Sequence, residues 1–368
     1  MTRDPTVGGT DHVRTVTVAI VTPLEPELAE QIRESDDYVE VLYEPDLLPP
    51  VRYPGDHRGV PGFTRGAGAE RRWRLLPDAS EVFFGLPGDS AAGLAAAVRS
   101  NPGLRWAQAT AAGAGEQLRA AALTPQELER VTVTTASGVH AGALAEFCML
   151  GLLYFARGVP RLQADQRAHR WDQQPVAELS GATLLVLGLG AIGTEVARVA
   201  KAFGMRTIGV NREGRSESPD VDAVYRSDRL FDLLPQADAV VVTLPLTDET
   251  RGMLGAQALH RTKSGAVLVN MGRGAIIDEE ALVQALREGK LGGALLDMFA
   301  TEPLPPESPL WDLANVLITP TPRRCQCART SAWWSSSSTT SGATFAGEAA
   351  AQPRRPTTLL LNGSSRRP

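Results

Sequence analysis

The 368-residue sequence has little cysteine, few aromatic residues and no excess of positive charge. Its three cysteines, Cys148, Cys325 and Cys327, are too few and too irregularly spaced for a disulfide framework or a zinc site. A formal net charge of −5 gives no electrostatic reason to expect nucleic acid as a partner. The N-terminus is polar, and no apolar run reaches the roughly 18 residues typical of a membrane span. We therefore expect a cytoplasmic protein with a small-molecule ligand and with no metal, membrane or nucleic-acid partner.

Glycine, in contrast, is placed informatively in the stretch from Thr183 to Arg212, TLLVLGLGAIGTEVARVAKAFGMRTIGVNR. An unbroken apolar run predicts a strand that is buried on both faces, and the turn GLGAIG follows it at once. We interpret Gly188 as permitting a tight turn, Gly190 as letting the backbone approach a pyrophosphate, and Gly193 as allowing the helix to pack close to the strand. The helix N-terminus would then form an anion site. This order of strand, turn, helix and strand predicts a dinucleotide-binding unit, with a ligand-free tight turn as the alternative.

The second strand of this unit ends in Asn211 and Arg212, where NAD-binding units usually place an acid for the ribose 2′-hydroxyl. Arg212 and Arg215 would instead be able to hold a 2′-phosphate through charge-assisted hydrogen bonds. Glu213 lies between them and would repel a phosphate, and the alternative is that both arginines are solvated loop charges. The sequence therefore favours NADP(H) over NAD(H).

Elsewhere, strand-like runs alternate with helical stretches, which is typical of an α/β protein with parallel sheets. The length leaves room for two domains, which we place at residues 1–129 for the substrate and 130–320 for the dinucleotide. Pro49 to Arg74 is rich in Pro, Gly and Arg and lacks periodicity, so we interpret it as a long surface excursion, either a lid or interface or a loop without function. The predicted strands are Val16–Val21, Val39–Tyr43, Val82–Leu86, Leu104–Ala109, Val131–Thr135, Leu184–Leu187, Thr207–Val210, Ala239–Leu244, Ala266–Asn270, Gly292–Leu296 and Val316–Thr319.

The motifs GLGAIG, VNMGRG, LLDMFATEPLP and NVLITP resemble those of the D-isomer-specific 2-hydroxyacid dehydrogenase family, in the same order and spacing. The likeness extends from about Val16 to Pro320 and is closest in kind to glyoxylate/hydroxypyruvate reductases. It implies two Rossmann-like domains with doubly wound parallel sheets, the cofactor domain being inserted after the substrate domain, and an active site in the cleft between them. It also implies a homodimer that transfers hydride between NAD(P)H and a small 2-keto or 2-hydroxy acid.

The resemblance further implies roles for particular residues. Arg273 of MGRG matches the arginine that grips the substrate's carboxylate and carbonyl oxygen, and Glu302 of TEP matches the carboxylate that pairs with the catalytic histidine. Surface ion pairs are the alternative for both. Ala112 and Gly113 follow a strand and match the backbone that binds the substrate carboxylate, with a plain turn as the alternative. The residues expected around the cofactor are Gly188, Gly190, Ala191, Ile192, Gly193, Asn211, Arg212, Leu244, Pro245, Thr250, Met271 and Asp297.

The sequence departs from the family pattern immediately after NVLITP. The family places its catalytic histidine there, but this chain has Thr321, and none of its five histidines lies beyond His260. A threonine hydroxyl cannot replace imidazole as a general acid near neutral pH. The chain as written therefore lacks the residue that would protonate the carbonyl oxygen.

The stretch that follows also lacks the helical periodicity expected of the family. One deleted base near codon 320 would account for both departures, because the shifted frame permits a histidine at this point and an amphipathic helix over Thr330 to Thr344. We hypothesise such a frameshift, and the alternative is a natural tail. In either case we expect residues 321–368 to be disordered and activity to be very low. The second functional hypothesis is a non-catalytic dinucleotide-sensing or interaction protein of the same fold.

Overall fold

The structure is a computed structural model that describes residues 14–111 and 113–319. Ala112, Thr321 and the predicted tail over 321–368 lie outside the described residues. The chain divides into two compact units, which among the described residues run over 14–139 and 140–319. The prediction of an α/β protein with two doubly wound parallel sheets is confirmed.

The first unit contains a parallel sheet whose described strands follow the order β2-β1-β3-β4-β5. Strand order reverses between β1 and β3, which places loops from both sides of the sheet at one crevice. The strands are β1 (Val16–Ile20), β2 (Val39–Leu42), β3 (Val82–Phe84), β4 (Trp106–Gln108) and β5 (Thr132–Thr134). The helices are α1 (Pro26–Arg33), α2 (Ala67–Asp78), α3 (Ala91–Ser100), α4 (Ala114–Ala120) and α5 (Pro125–Arg130).

Two features of this unit differ from the predictions. Strand β5 is hydrogen-bonded into the first sheet beside β4, so the two units divide after Val139 rather than at the predicted 129/130 boundary. Helix α2 occupies part of the stretch that was interpreted as an aperiodic excursion. Its sequence AGAERRWRLLPD buries only Leu76 and Pro77 and leaves Leu75 exposed, so the apolar stripe is too thin to show periodicity.

The second unit contains a parallel sheet whose described strands follow the order β12-β11-β10-β9-β6-β7-β8. Its strands are β6 (Thr183–Leu187), β7 (Arg206–Asn211), β8 (Ala223–Arg226), β9 (Ala239–Val242), β10 (Ala266–Asn270), β11 (Leu291–Leu296) and β12 (Val316–Ile318). Its helices are α6 (Ala141–Ala156), α7 (Val159–Arg167), α8 (Ala191–Ala202), α9 (Leu230–Leu233), α10 (Ala256–Arg261) and α11 (Glu279–Arg287). Strand order reverses between β6 and β9, and the carboxyl ends of these two strands are where a ligand of such a sheet is expected.

Both faces of this second sheet are buried, which explains the unbroken apolar strands. Leu185 and Leu187 belong to the hydrophobic cluster on one face, whereas Leu184 and Val186 belong to the cluster on the other. Helix α8 covers the latter face with Val196 and Ala200. Phe203 is 40% exposed because it lies just beyond the last helical turn.

Helix α6 is strongly apolar and packs on the same face of the second sheet. A Cβ added at Gly151 would lie 2.8 Å from the Leu295 Cβ, so the helix and strand β11 meet closely. Within the described residues, no single helix is long and apolar enough to cross a membrane, although α6 and α7 together, bent by 59°, meet the length and composition criteria.

Candidate dinucleotide site

The glycine turn after β6 has the geometry that its sequence predicts. Gly188 has φ 100°, a left-handed conformation that favours glycine. A Cβ at Gly193 would lie 1.9 Å from the Gly188 carbonyl oxygen, so only glycine permits this packing of α8 on the turn. A Cβ at Gly190, in contrast, would have no atom within 4 Å. The turn is therefore closed on its protein side and open in front of Gly190.

The N-terminus of α8 points its first amides into this open space. Gly190 is the N-cap residue and has no side chain to accept from them, and Ala191 and Ile192 form the start of the helix. The amides of a first helical turn have no acceptor within the helix, and the helix dipole adds positive potential there. The arrangement fits the pyrophosphate of a dinucleotide.

Thr243, which was not predicted from the sequence, supports the turn from the end of the neighbouring strand β9. Its hydroxyl donates to the Gly188 carbonyl oxygen at 2.7 Å, and its amide donates to the Leu187 carbonyl oxygen at 2.9 Å. Leu244 follows, with its Cδ2 atom 3.1 Å from the Cβ position of Gly188. The sequence feature that could have indicated this role is a residue with a hydroxyl group directly after the apolar run AVVV of β9.

The turn after β7 holds the residues expected to contact the adenosine ribose. The Asn211 Oδ1 atom accepts from the Gly214 amide at 2.6 Å, and its Nδ2 atom donates to the Arg215 carbonyl oxygen at 2.8 Å. Asn211 therefore shapes the turn that carries Arg212 and Arg215, both of which are exposed. Arg226 lies opposite Asn211 in the pairing of β7 with β8, and its stem packs against Gly214.

The loop after β9 is held by the hydroxyl group of Thr250. This buried side chain donates to the Pro245 carbonyl oxygen at 2.8 Å and accepts from the Thr247 amide at 2.8 Å. Pro245 is exposed, and Leu244 is half-buried. Thr250 thus fixes the loop, whereas Pro245 presents a surface at the site.

Asn270 ties together the loops after β10 and β11. Its Oδ1 atom accepts from the Gly272 amide at 3.1 Å, and its Nδ2 atom donates to the Arg273 carbonyl oxygen at 3.2 Å and to that of Met298 at 3.4 Å. A Cβ at Gly274 would lie 1.9 Å from the Phe299 carbonyl carbon, so these loops are also in backbone contact. The half-buried Arg273 emerges from this junction and donates to the Gly272 carbonyl oxygen at 2.9 Å.

Two carboxylates follow β11 and differ in exposure. Asp297 is 8% exposed, and its amide donates to the Asn270 carbonyl oxygen at 3.2 Å. Burial, with a smaller contribution from the charge of Asp297, raises the pKa of the Cys148 thiol far above its usual value, so Cys148 is an inert packing residue. Glu302 is exposed, and its Oε1 atom accepts from the Phe299 amide at 3.2 Å.

The structure therefore gathers most predicted site residues at one edge of the second sheet. Those at or after the carboxyl ends of β6, β7, β9, β10 and β11 are Gly188, Gly190, Ala191, Ile192, Gly193, Asn211, Arg212, Leu244, Pro245, Thr250, Met271, Arg273, Asp297 and Glu302. Gly113 belongs to the first unit, where it is half-buried and is the N-cap residue of α4. The contacts that these residues make with a ligand remain predictions.

Residues 149–321 match the family model described as "D-isomer specific 2-hydroxyacid dehydrogenase, NAD binding domain". A solved structure of a D-isomer specific 2-hydroxyacid dehydrogenase family protein from Aeromonas salmonicida aligns with a TM-score of 0.67 and 29% identity, covering 84% of this chain and 89% of that one. The chain belongs to the D-isomer-specific 2-hydroxyacid dehydrogenase family. The resemblance stated from the four motifs is thus confirmed.

Two curated relatives of this family member are similar over about half of its length. The glyoxylate reductase of Aeropyrum pernix is 44% identical over 203 residues, which are 52% of this chain and 59% of the relative. The D-3-phosphoglycerate dehydrogenase of Methanocaldococcus jannaschii is 38% identical over 192 residues, which are 52% of this chain and 36% of the relative. The chain therefore matches well under two thirds of the length of these relatives.

Proposed function

We propose that this family member binds a nicotinamide dinucleotide at the carboxyl edge of β6 and transfers hydride between it and a small 2-keto or 2-hydroxy acid. The observation that carries the proposal is the contrast within the glycine turn. Gly193 is closed against Gly188, whereas Gly190 faces open space in front of the α8 N-terminus. This combination leaves room for a pyrophosphate where backbone amides are able to bind it.

The chain's own residues would hold the two reactants. Amides at Gly190, Ala191 and Ile192 would bind the pyrophosphate, while Leu244 and Pro245 line the approach. A bound nicotinamide supplies or accepts the hydride. Arg273, whose backbone carbonyl accepts from Asn270, would bind the carboxylate and the developing charge on the carbonyl oxygen through its guanidinium. Ala112 and Gly113, in the first unit, are proposed as further substrate-binding residues.

The cofactor is proposed to be NADP(H) in preference to NAD(H). Two exposed arginines, Arg212 and Arg215, lie on the turn after β7, and Asn211 is committed to holding that turn. The position where an acid would receive the ribose 2′-hydroxyl is therefore occupied by neutral and positive groups, which suit a 2′-phosphate.

The substrate is proposed only as a class. The two relatives described above are named a glyoxylate reductase and a D-3-phosphoglycerate dehydrogenase. Both names concern small acids that carry oxygen next to the carboxylate, and this is the chemistry that an arginine such as Arg273 suits. We also propose that the protein is cytoplasmic and that it is a homodimer. Light scattering of the purified chain tests the oligomeric state.

A second candidate function is a dinucleotide-binding protein without catalysis. The observation that favours it is the absence of any histidine after His260, since Thr321 stands where the family's general acid is expected. Glu302, the proposed partner of that histidine, is present. In this case the chain as written would bind the cofactor and would not turn over a keto acid at a useful rate.

One experiment separates the two functions. The gene is resequenced, and the 368-residue chain is compared with a frame-corrected chain that restores the histidine, using NADPH or NADH and a panel of 2-keto acids. We expect the corrected chain to be faster by about 10² to 10⁴, because general acid catalysis is typically worth that much. Arg273→Gln in the corrected chain is the control that removes substrate binding.

Three results would contradict these proposals in different ways. A corrected chain without turnover on any keto acid would rule out the oxidoreductase proposal. Near-normal turnover by the chain as written would rule out the role assigned to the missing histidine. A confirmed reading frame without the histidine, together with tight dinucleotide binding, would favour the non-catalytic protein.

A further inference from the structure

Glu249 is an exposed acid at the same sheet edge as the proposed 2′-phosphate site. It lies in the loop after β9, and Arg212 lies in the turn after β7. Strands β7 and β9 are the two neighbours of β6, so their loops flank the glycine turn on either side. A dinucleotide at that turn would therefore lie between the segments that carry Arg212 and Glu249.

Both segments are held in place by their own hydrogen bonds. The hydroxyl of Thr250 donates to the Pro245 carbonyl oxygen at 2.8 Å and accepts from the Thr247 amide, and this closes the loop around Glu249. Asn211 closes the turn around Arg212 through the Gly214 amide. Both charges are therefore carried by segments whose backbone is held by hydrogen bonds.

The two side chains interact electrostatically. Hydrogen bonds from the Thr247 side chain and from its own backbone amide lower the pKa of the Glu249 carboxyl, and the positive charge of Arg212 lowers it further. The carboxylate is therefore ionised at neutral pH and lies in the field of Arg212. The β7 turn also carries Glu213 and Arg215, and Arg226 lies beside it on β8. The loop after β9 also carries Asp248 and Arg251.

We propose that Glu249 is a specificity-determining residue that opposes the 2′-phosphate of NADP(H) at Arg212 and leaves NAD(H) unaffected. The inference rests on the proposed cofactor site. A phosphate gains charge-assisted hydrogen bonds from Arg212 but is repelled by a carboxylate that already accompanies this arginine. The neutral 2′-hydroxyl of NAD(H) experiences no such repulsion. Glu249 thus limits the preference for NADP(H) that Arg212 alone would give.

The test measures dissociation constants of NADPH and NADH for the 368-residue chain, for Glu249→Gln and for Asp248→Asn. Asp248 is the matched control, because it is the adjacent exposed acid and its substitution removes the same charge. We expect Glu249→Gln to tighten NADPH binding about three- to tenfold, with NADH unchanged within about twofold, as is typical of exposed charges in water. The gain should shrink in about 0.5 M salt because the repulsion is screened.

Several outcomes would overturn the inference. An unchanged NADPH-to-NADH ratio in Glu249→Gln, or an equal change in Asp248→Asn, would show that Glu249 has no specific effect. Weaker NADH binding in Glu249→Gln would assign the carboxylate to a ribose hydroxyl instead. Turnover is not part of this readout, so an inactive chain that binds both dinucleotides tests the inference even though the proposed reaction fails. A chain that binds neither dinucleotide would contradict both this inference and the proposed function.

Discussion

The glycine turn after β6 and the segment after β2, at the carboxyl edges of the two parallel sheets, are held by different main contacts. In the glycine turn the main contact is the backbone approach of Gly193 to Gly188, which the Thr243 hydroxyl supports. The segment after β2 is held mainly by side-chain hydrogen bonds. Here the Thr22 hydroxyl donates to the His57 carbonyl oxygen at 2.5 Å, beside the buried Asp56. Where two backbone segments touch, only glycine fits, whereas a contact between side chains can be made by several residue types.

The side-chain closure of the first sheet is centred on Asp56. Its carboxylate accepts from the Arg52 Nε at 2.7 Å and Nη2 at 2.9 Å, and from the amides of Arg52 and Arg58 at 3.1 and 3.2 Å. His57 bonds the Pro23 carbonyl oxygen through Nδ1 at 2.7 Å. These contacts hold the segment after β2 over the end of β1, so this part of the predicted excursion is an ordered cover.

The largest effect is expected from Gly193→Ala in the second unit. The added Cβ would lie 1.9 Å from a backbone oxygen that cannot move without opening the turn, so we expect a loss of about 3 kcal/mol in unfolding free energy. Urea unfolding and NADPH binding measure the two consequences, and we expect binding to be lost as well.

Gly190→Ala is the matched control for this change. Its Cβ would meet no atom within 4 Å, so the unfolding free energy should change by less than about 0.5 kcal/mol while NADPH binding weakens. A stable Gly193→Ala that binds NADPH normally would show that the second sheet is not closed by this backbone approach.

This contrast explains what the sequence predicted and what it did not. The roles of Gly188 and Gly193 followed from their spacing after an apolar strand, because glycine is nearly irreplaceable where backbones meet. The role of Asp56 did not follow, since an acid between Gly55 and His57 looks like any loop acid until its partners are known. Thr243 was missed for the same reason: its hydroxyl acts through a turn about 55 residues earlier in the chain.

Strand β8 and helix α2 were missed because their apolar signals are weak. Strand β8 has the sequence AVYR, and its residues are at most half-buried at the edge of the second sheet. The central strands of that sheet were predicted within one or two residues, because burial on both faces selects unbroken apolar runs. Elements of this chain were therefore predicted well where they are buried and where few residue types fit, and poorly where they are exposed and many residue types fit.

A smaller effect is expected from Asp56→Asn in the first unit. The guanidinium of Arg52, with help from backbone amides, holds the pKa of the Asp56 carboxyl well below its usual range. Replacing the buried carboxylate by an amide loses these charge-assisted bonds and should cost about 2 kcal/mol at pH 7. Asp46→Asn is the control, because its ion pair with Arg72 is exposed and should cost less than about 0.5 kcal/mol.

The pH dependence sharpens this prediction. Since the pKa of Asp56 is lower in the folded than in the unfolded chain, its stabilisation is fully present above the unfolded value of about 3.9 and is lost as pH falls through the folded value. The difference between the unmutated chain and Asp56→Asn should therefore shrink below about pH 4. A difference that stays constant down to about pH 2 would show that the ionised carboxylate is not the stabilising group.

The smallest effect is expected from Arg212→Asp, which separates ligand selection from closure at the second sheet. Arg212 is exposed and follows β7, so its replacement should leave the unfolding free energy within about 0.5 kcal/mol. The new carboxylate would repel a 2′-phosphate and would be able to accept from a ribose hydroxyl, as the acid in NAD-binding units does. We expect NADPH affinity to fall about tenfold, or about 1.4 kcal/mol, and NADH affinity to stay equal or rise.

Arg206→Asp is the control, because this exposed arginine lies at the opposite end of β7. Equal affinities for NADPH and NADH in the unmutated chain, or the same loss in Arg206→Asp, would remove Arg212 from the cofactor site.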